Sequence, residues 1–210
     1  VRLYTWSNNN VTVDGRGEVQ GLTNVCFNVV DRHLDSKKDL YEIAITWEGS
    51  FWDGTLDVHD YAELTWETID VLVRKIARVL QLRREQEHDF RLLLFIPNVI
   101  QLPLSLLAAN LIGITPVMVD PSSISVDQLS RLLKLVRPTH IVSIDGFWLG
   151  EKLLPSKTLL DEALAKSEIP VKEVLVIRHA GPNPGVPPPY KEYIGRRPCY
   201  KLVVPMTEGR

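Results

Sequence analysis

Between residues 92 and 177 the sequence switches repeatedly between two periods, and that switching sharply limits the folds open to it. Short apolar runs at 92–96, 114–119, 139–144 and 174–177 alternate with segments whose apolar residues recur every three or four positions. An unbroken apolar run suits a strand covered on both faces, and strands joined through helices run parallel. Residues 99–112 read as an apolar helix closed by Gly113 at the C′ position. Ser125 caps the next helix and Gln128 completes a capping box. Val126, Leu129, Leu132, Leu133 and Val136 form its buried stripe, and Pro138 stops it. A further helix covers 157–166. The expected class is doubly wound α/β, a mostly parallel sheet with flanking helices.

The flanking segments are less regular. Residues 1–24 read as a polar surface arm and 25–34 as a short helix with apolar positions at 26, 30 and 34. Residues 42–47 alternate and are β-branched, which predicts a strand, and 49–57 read as a loop. Asp60 with Glu63 forms a D-x-x-E box. It opens a predicted helix over 61–83 whose stripe is Leu64, Ile69, Leu72, Val73, Ile76 and Leu80. Charges of both signs are mixed over 83–89, the pattern of a solvated connector. Five prolines fall within residues 182–189, a density that excludes a helix or central strand, and 201–204 is a strand-like run in the tail. The expected division is an arm and short helix at 1–40, an α/β subdomain at 41–180, and a Pro-rich loop and tail at 181–210.

Composition narrows the function. Lys and Arg number 24 against 26 Asp and Glu, a net charge of −2, which speaks against a nucleic-acid or membrane-surface partner. No run of 18 apolar residues is present. Cys26 and Cys199 have neither the number nor the spacing of a disulfide framework or a zinc site, so a cytoplasmic or mitochondrial-matrix compartment is expected. The sequon Asn10-Val11-Thr12 reads as a chance match.

Candidate chemistry is sparse. The five histidines show no metal-ligand spacing, and no GxSxG is present. His33, beside Asp31 and Arg32, reads as a packing or hydrogen-bonding group. The five tryptophans are scattered rather than stacked at a repeat, which suits core or rim roles. Gly146-Phe147-Trp148-Leu149-Gly150-Glu151-Lys152 is too short for a phosphate loop, and Leu153 stands where a hydroxyl is needed. It reads either as a tight turn that needs glycine or as a ligand-binding turn at the carboxyl edge of the sheet. The residues alone define no catalytic group and no metal site.

Several blocks nevertheless resemble one family in consistent order from 24 to 210. Asn24-Val25-Cys26-Phe27-Asn28-Val29-Val30-Asp31-Arg32-His33-Leu34 is similar to the N-V-x-Y-N-x-x-D-R-H-L block of AMP-forming acetyl-CoA synthetases, members of the adenylate-forming superfamily. Trp47-Glu48-Gly49 resembles their W-E-G, Tyr61-Ala62-Glu63-Leu64 their Y-x-E-L helix start, and Phe95-Ile96-Pro97-Asn98 their strand ending in M-P. Residues 109–114 resemble their A-x-x-x-G-A/I turn and Asp161-Glu162-Ala163-Leu164 their D-[DE]-A-L. Pro205-Met206-Thr207-Glu208-Gly209-Arg210 resembles the V-P-M-K-E-G-R that precedes a W-W pair.

The resemblance implies a fold that is part of a large N-terminal domain and a two-step reaction. Acetate or another short-chain acid and ATP give an acyl-adenylate and pyrophosphate, and the thiol of coenzyme A then takes the acyl group and releases AMP. Mg²⁺ neutralises the phosphates. The family's phosphate loop lies beyond the W-W pair, so these 210 residues, which open on Val1, are expected to be an N-terminal piece that works with the rest of a parent chain. Alone they are expected to be inactive and to hold no cofactor tightly.

For coenzyme A, gap-free counting from Asp145 to Pro155 carries the family's two phosphate-binding arginines onto Leu149 and Lys152 and its adenine contact onto Leu154. Leu149 offers a phosphate nothing, whereas Lys152 offers a point charge without the fork of an arginine. Where acetyl-specific members carry F-G-G-F-S, this chain has Val119-Asp120-Pro121-Ser122-Ser123-Ile124-Ser125, closer to longer-chain synthetases. Two readings stand: part of an acetate–CoA ligase, or a degenerate synthetase-like domain kept for protein interaction. A self-contained nucleotide-binding module is a third.

Overall fold

A computed structural model describes residues 24–35, 39–53, 58–86, 88–150 and 152–180, together with short strands at 12–13, 19–20 and 207–208. In chain order the elements are β1 (Thr12–Val13), β2 (Val19–Gln20), a π-helical turn (Phe27–Asp31) running into α1 (Arg32–Asp35), β3 (Ile43–Asp53), β4 (Val58–Thr65) and α2 (Trp66–Arg84). They continue with β5 (Leu92–Phe95), α3 (Gln101–Leu111), β6 (Val117–Val119), α4 (Val126–Val136) and β7 (His140–Ile144). The last are β8 (Phe147–Leu149), β9 (Lys152–Leu154), α5 (Ser156–Ser167), β10 (Glu173–Ile177) and β11 (Thr207–Glu208).

The apolar runs become the central sheet, in the order β11-β10-β7-β5-β6. Strands β10, β7, β5 and β6 are parallel, and β11 pairs antiparallel with β10. Alternate residues of each run go to opposite faces. Leu92 and Leu94 join Val142, Ile144, Leu175 and Ile177 beneath α2 and α3. Leu93, Phe95 and Ile141 face Leu129, Leu133, Leu160 and Ala163 of α4 and α5. Each fully buried Leu or Phe contributes about 1.5–3 kcal/mol of burial energy. A third cluster joins the outer side of α2 and α3 to the β3–β4 hairpin and the N-terminal helical turn. Helices on both faces of a parallel sheet make the expected doubly wound α/β architecture.

The two helix-end signals hold in detail. Ser125 Oγ accepts from Gln128 N at 3.3 Å, and Gln128 Oε1 accepts from Ser125 N at 3.0 Å, a complete capping box. Gly113 has φ +72°, its N–H meets Asn110 O, and Ile114 N–H meets Ala109 O, the paired bonds of a Schellman ending.

Three expectations fail. The helix over 61–83 starts late. Residues 58–65 are β4, paired antiparallel with β3, with Ala62 and Leu64 buried at strand spacing. The helix is capped by Thr65, whose side chain accepts from Thr68 N, so the Tyr61-to-Leu64 block ends a strand rather than starting a helix. The loop expected at 49–57 is a strand as far as Asp53. The run at 114–119 is also shorter than expected, and β6 is an edge strand on which Val117 and Met118 are exposed, so it is not buried on both faces. The proline-rich stretch and the strand-like run at 201–204 lie outside the described residues.

Candidate functional site

The candidate site lies at the carboxyl ends of the parallel strands, where ligands meet open α/β sheets. Strand β7 is followed by Asp145, whose Oδ1 accepts from the backbone N–H groups of Gly146, His179 and Ala180 at 2.9, 2.7 and 3.0 Å. This carboxylate ties the end of β7 to the end of β10. The chain then makes a hairpin, β8–β9, through a two-residue connection in which Gly150 takes φ +60°. The predicted strand-to-helix turn at 146–152 is therefore this hairpin. It feeds α5, whose Lys157 N–H returns to Asp145 O at 3.2 Å. Across from it, the β6–α4 loop is held by Ser122 N–H donating to Asp120 Oδ1 at 2.8 Å and by the Ser125 capping box.

Between these pieces lies a cleft of about 310 Å³. The loop and the start of α4 contribute Pro121, Ser122, Ile124 and Val126, and the hairpin contributes Phe147 and Leu154. The first turns of α5 contribute Pro155, Ser156, Thr158, Leu159 and Glu162. The wall is thus mainly apolar with a few hydroxyls and one carboxylate, the build of a small-molecule site. Ser156 is buried and its Oγ has no hydrogen-bond partner among the described residues.

Of the three residues singled out in the sequence, Leu154 stands in the wall, half-buried. Lys152 and Leu149 are exposed cross-strand partners that do not line the cleft. Because Phe147 pairs with Leu154 and Leu149 with Lys152, all four share one hairpin face, the second pair one step nearer the tip. Lys152 makes no ion pair among the described residues.

The other titratable candidates are structural. Asn24 Nδ2 donates to Asn110 O at 2.9 Å, and Asp31 pairs with Arg74 at 2.7 Å, so the N-terminal block ties the helical turn to α3 and α2. Burial, with Asp31 adding to it, pushes the Cys26 thiol up to about 12, far from a reactive thiolate. His33 packs on Trp66 with ring centroids 4.9 Å apart. His179 is buried at the end of β10, its Nδ1 3.2 Å from Gln101 Nε2 and its ring edge-on to Trp47. Burial pushes it down to about 4 against the opposing pull of Asp145, so the ring is neutral near pH 7. Among the described residues no group of three or more His, Cys, Asp or Glu is placed to hold a metal ion, and no helix is long and apolar enough to cross a membrane.

Sequence reasoning missed most of the cleft wall. Phe147 lay in view inside the glycine-flanked run, and the Ser125 box marked the start of α4. Nothing in the pattern pointed Glu162 toward a ligand.

The fold agrees with what the chain is similar to. The AMP-binding enzyme family profile matches residues 43–192. An uncharacterized protein of Caenorhabditis elegans, ZK112.6, is 34% identical over 125 residues, which are 57% of this chain and 83% of that protein. The acetyl-coenzyme A synthetase of Mesorhizobium japonicum is 29% identical over 186 residues, 85% of this chain and 27% of the enzyme. That of Pyrobaculum arsenaticum is 31% identical over 193 residues, 91% of this chain and 25% of the enzyme. The chain belongs to the AMP-binding enzyme family. It spans about a quarter of the length of the synthetases it matches.

Proposed function

We propose that the cleft receives the nucleotide end of coenzyme A in an AMP-forming acetate or short-chain acyl–CoA ligase, and that this chain forms part of the N-terminal domain of that enzyme. The observation that carries the reading is the hairpin register. Leu154, the position the resemblance sets against adenine, is in the cleft wall. Lys152, the position it sets against the 3′-phosphate, shares that face one pair further out. An apolar slot with Lys152 one same-face residue pair beyond its wall suits a base held inward and a phosphate held outward. The acetyl-CoA synthetases among the relatives support the same substrate class.

The adenylate step needs a phosphate loop that the resemblance places beyond Arg210, so these residues serve the second step, in which the thiol arrives. ATP and Mg²⁺ belong to the first. Without that loop the 210 residues should give no acetate-dependent ATP–pyrophosphate exchange.

The test is coenzyme A against dephospho-coenzyme A. An exposed lysine–phosphate contact contributes about 1 kcal/mol. Lys152→Ala should therefore weaken coenzyme A about fivefold and leave dephospho-coenzyme A unchanged, while Leu149→Arg should tighten coenzyme A. Equal weakening of both ligands by Lys152→Ala would overturn the assignment.

A second reading, a synthetase-like domain without ligase chemistry that serves protein interaction, is favoured by one observation. This chain covers 83% of the nematode relative, against about a quarter of the enzymes. That reading predicts that neither form of coenzyme A binds.

A further inference from the structure

We infer that Glu162 makes the cleft selective for a base carrying an exocyclic amine over one carrying a carbonyl at the same position; the inference rests on the coenzyme A reading above. Thr158 and Glu162 stand one turn apart on α5, and both line the cleft. The neighbouring cations of α5 are already engaged, Lys157 with Asp161 at 2.6 Å and Lys166 with Asp127. Glu162 has no ion pair or hydrogen bond among the described residues. No lysine or arginine lines the cleft.

An ionised carboxylate only accepts hydrogen bonds. A ligand in this slot gains by turning an N–H toward Glu162 and loses by turning a carbonyl or a phosphate toward it. The hydroxyls of Ser122 and Thr158 donate or accept and so discriminate little. The apolar walls hold a flat ring without reading its edge. Adenine presents an amine where hypoxanthine presents a carbonyl. The same charge logic sets the orientation: phosphates are repelled from Glu162 and drawn toward Lys152 beyond the wall.

The 210-residue chain is titrated with coenzyme A and with its deaminated analogue, which carries hypoxanthine, using wild type, Glu162→Gln, Glu162→Ala and Thr158→Trp. Wild type should prefer coenzyme A about tenfold, the scale of one hydrogen bond to a charged group. Glu162→Gln, whose amide both donates and accepts, should bring the two ligands within about twofold by tightening the analogue. Glu162→Ala should reach a similar ratio by loosening coenzyme A. Both substitutions are at an exposed position, and unchanged circular dichroism confirms the fold. A wild-type ratio near one, or variants that keep the wild-type ratio, would overturn the inference. Thr158→Trp, also at an exposed position, fills the cleft and tells the two failures apart. If it abolishes binding while the Glu162 variants keep the wild-type ratio, the cleft reading stands and only the role of Glu162 falls. If coenzyme A does not bind, or binds Thr158→Trp as it binds wild type, the cleft reading itself falls and takes this inference with it.

Discussion

Gly146 lets the end of β7 and the end of β9 approach each other, and replacing it should move the cleft wall. A Cβ at this position would stand 2.9 Å from Leu154 O and 3.6 Å from Pro155 Cα. Carbon contacts relax to about 3.5 Å or more, so the 154–155 backbone must retreat by about half an ångström. It has little room to do so. Leu154 is paired with Phe147, and Lys157 N–H is bonded to Asp145 O just beyond. Overpacking of this kind costs about 1–3 kcal/mol. Gly150 is the control. A Cβ there meets nothing within 4 Å, and only its φ of +60° opposes a side chain, at a cost of about 1 kcal/mol. In urea unfolding followed by circular dichroism, Gly146→Ala should lower the midpoint by roughly 0.5–1 M for a slope of about 2–3 kcal/mol/M. Because Leu154 is part of the wall, the same variant should weaken coenzyme A, whereas Gly150→Ala should unfold only slightly early. If Gly146→Ala unfolds with wild type while Gly150→Ala does not, the close approach is wrong, and with it the placement of the hairpin.

Two further predictions concern stability. His179 has a folded pKa held near 4 against 6.5 when free, so the unfolded chain takes up a proton first as the pH falls. The stabilisation is complete above pH 6.5 and is lost toward pH 4, by an amount on the order of 3 kcal/mol. Urea midpoints at pH 7 and pH 4.5 should show that loss in wild type and a smaller one in His179→Gln; parallel losses would count against it. Ser125→Ala removes one side of the capping box at the cleft's far wall and should cost about 1 kcal/mol, read as a lower thermal midpoint.

What was legible in the sequence followed the strength of its periodicity. The strands β5, β7 and β10 and the helices α3, α4 and α5 could be read because 4–12 residues of one period end at Gly113, Pro138 or a cap, whereas the three residues of β6 were over-read as a longer buried run. The start of α2 was misread for a physical reason. Asp60 and Glu63 mimic a capping box, and Leu64 falls in phase with the helical stripe by chance, while the cap in use is Thr65. Only pairing with β3 makes 58–65 a strand, and that contact is not local. The β8–β9 hairpin was invisible because three residues per strand show no period. The resemblance set Leu154 and Lys152 against coenzyme A, and of the two only Leu154 lines the cleft. The remainder of the wall comes from the packing of α4 against α5, which brings the loop at 121–126 to the hairpin and is set by the core beneath rather than by any motif.

The central claim is that coenzyme A meets this chain at the carboxyl edge of the sheet, between the β6–α4 loop and the hairpin. Amide chemical shifts of the labelled 210-residue chain, followed during a titration with coenzyme A, test it most directly. The account predicts saturable shifts at Ser122, Val126, Phe147, Leu154 and Thr158, extending to Lys152. Shifts gathered instead at the opposite edge, around Arg91, Thr139 and His140, or no saturable shift at all, would contradict it.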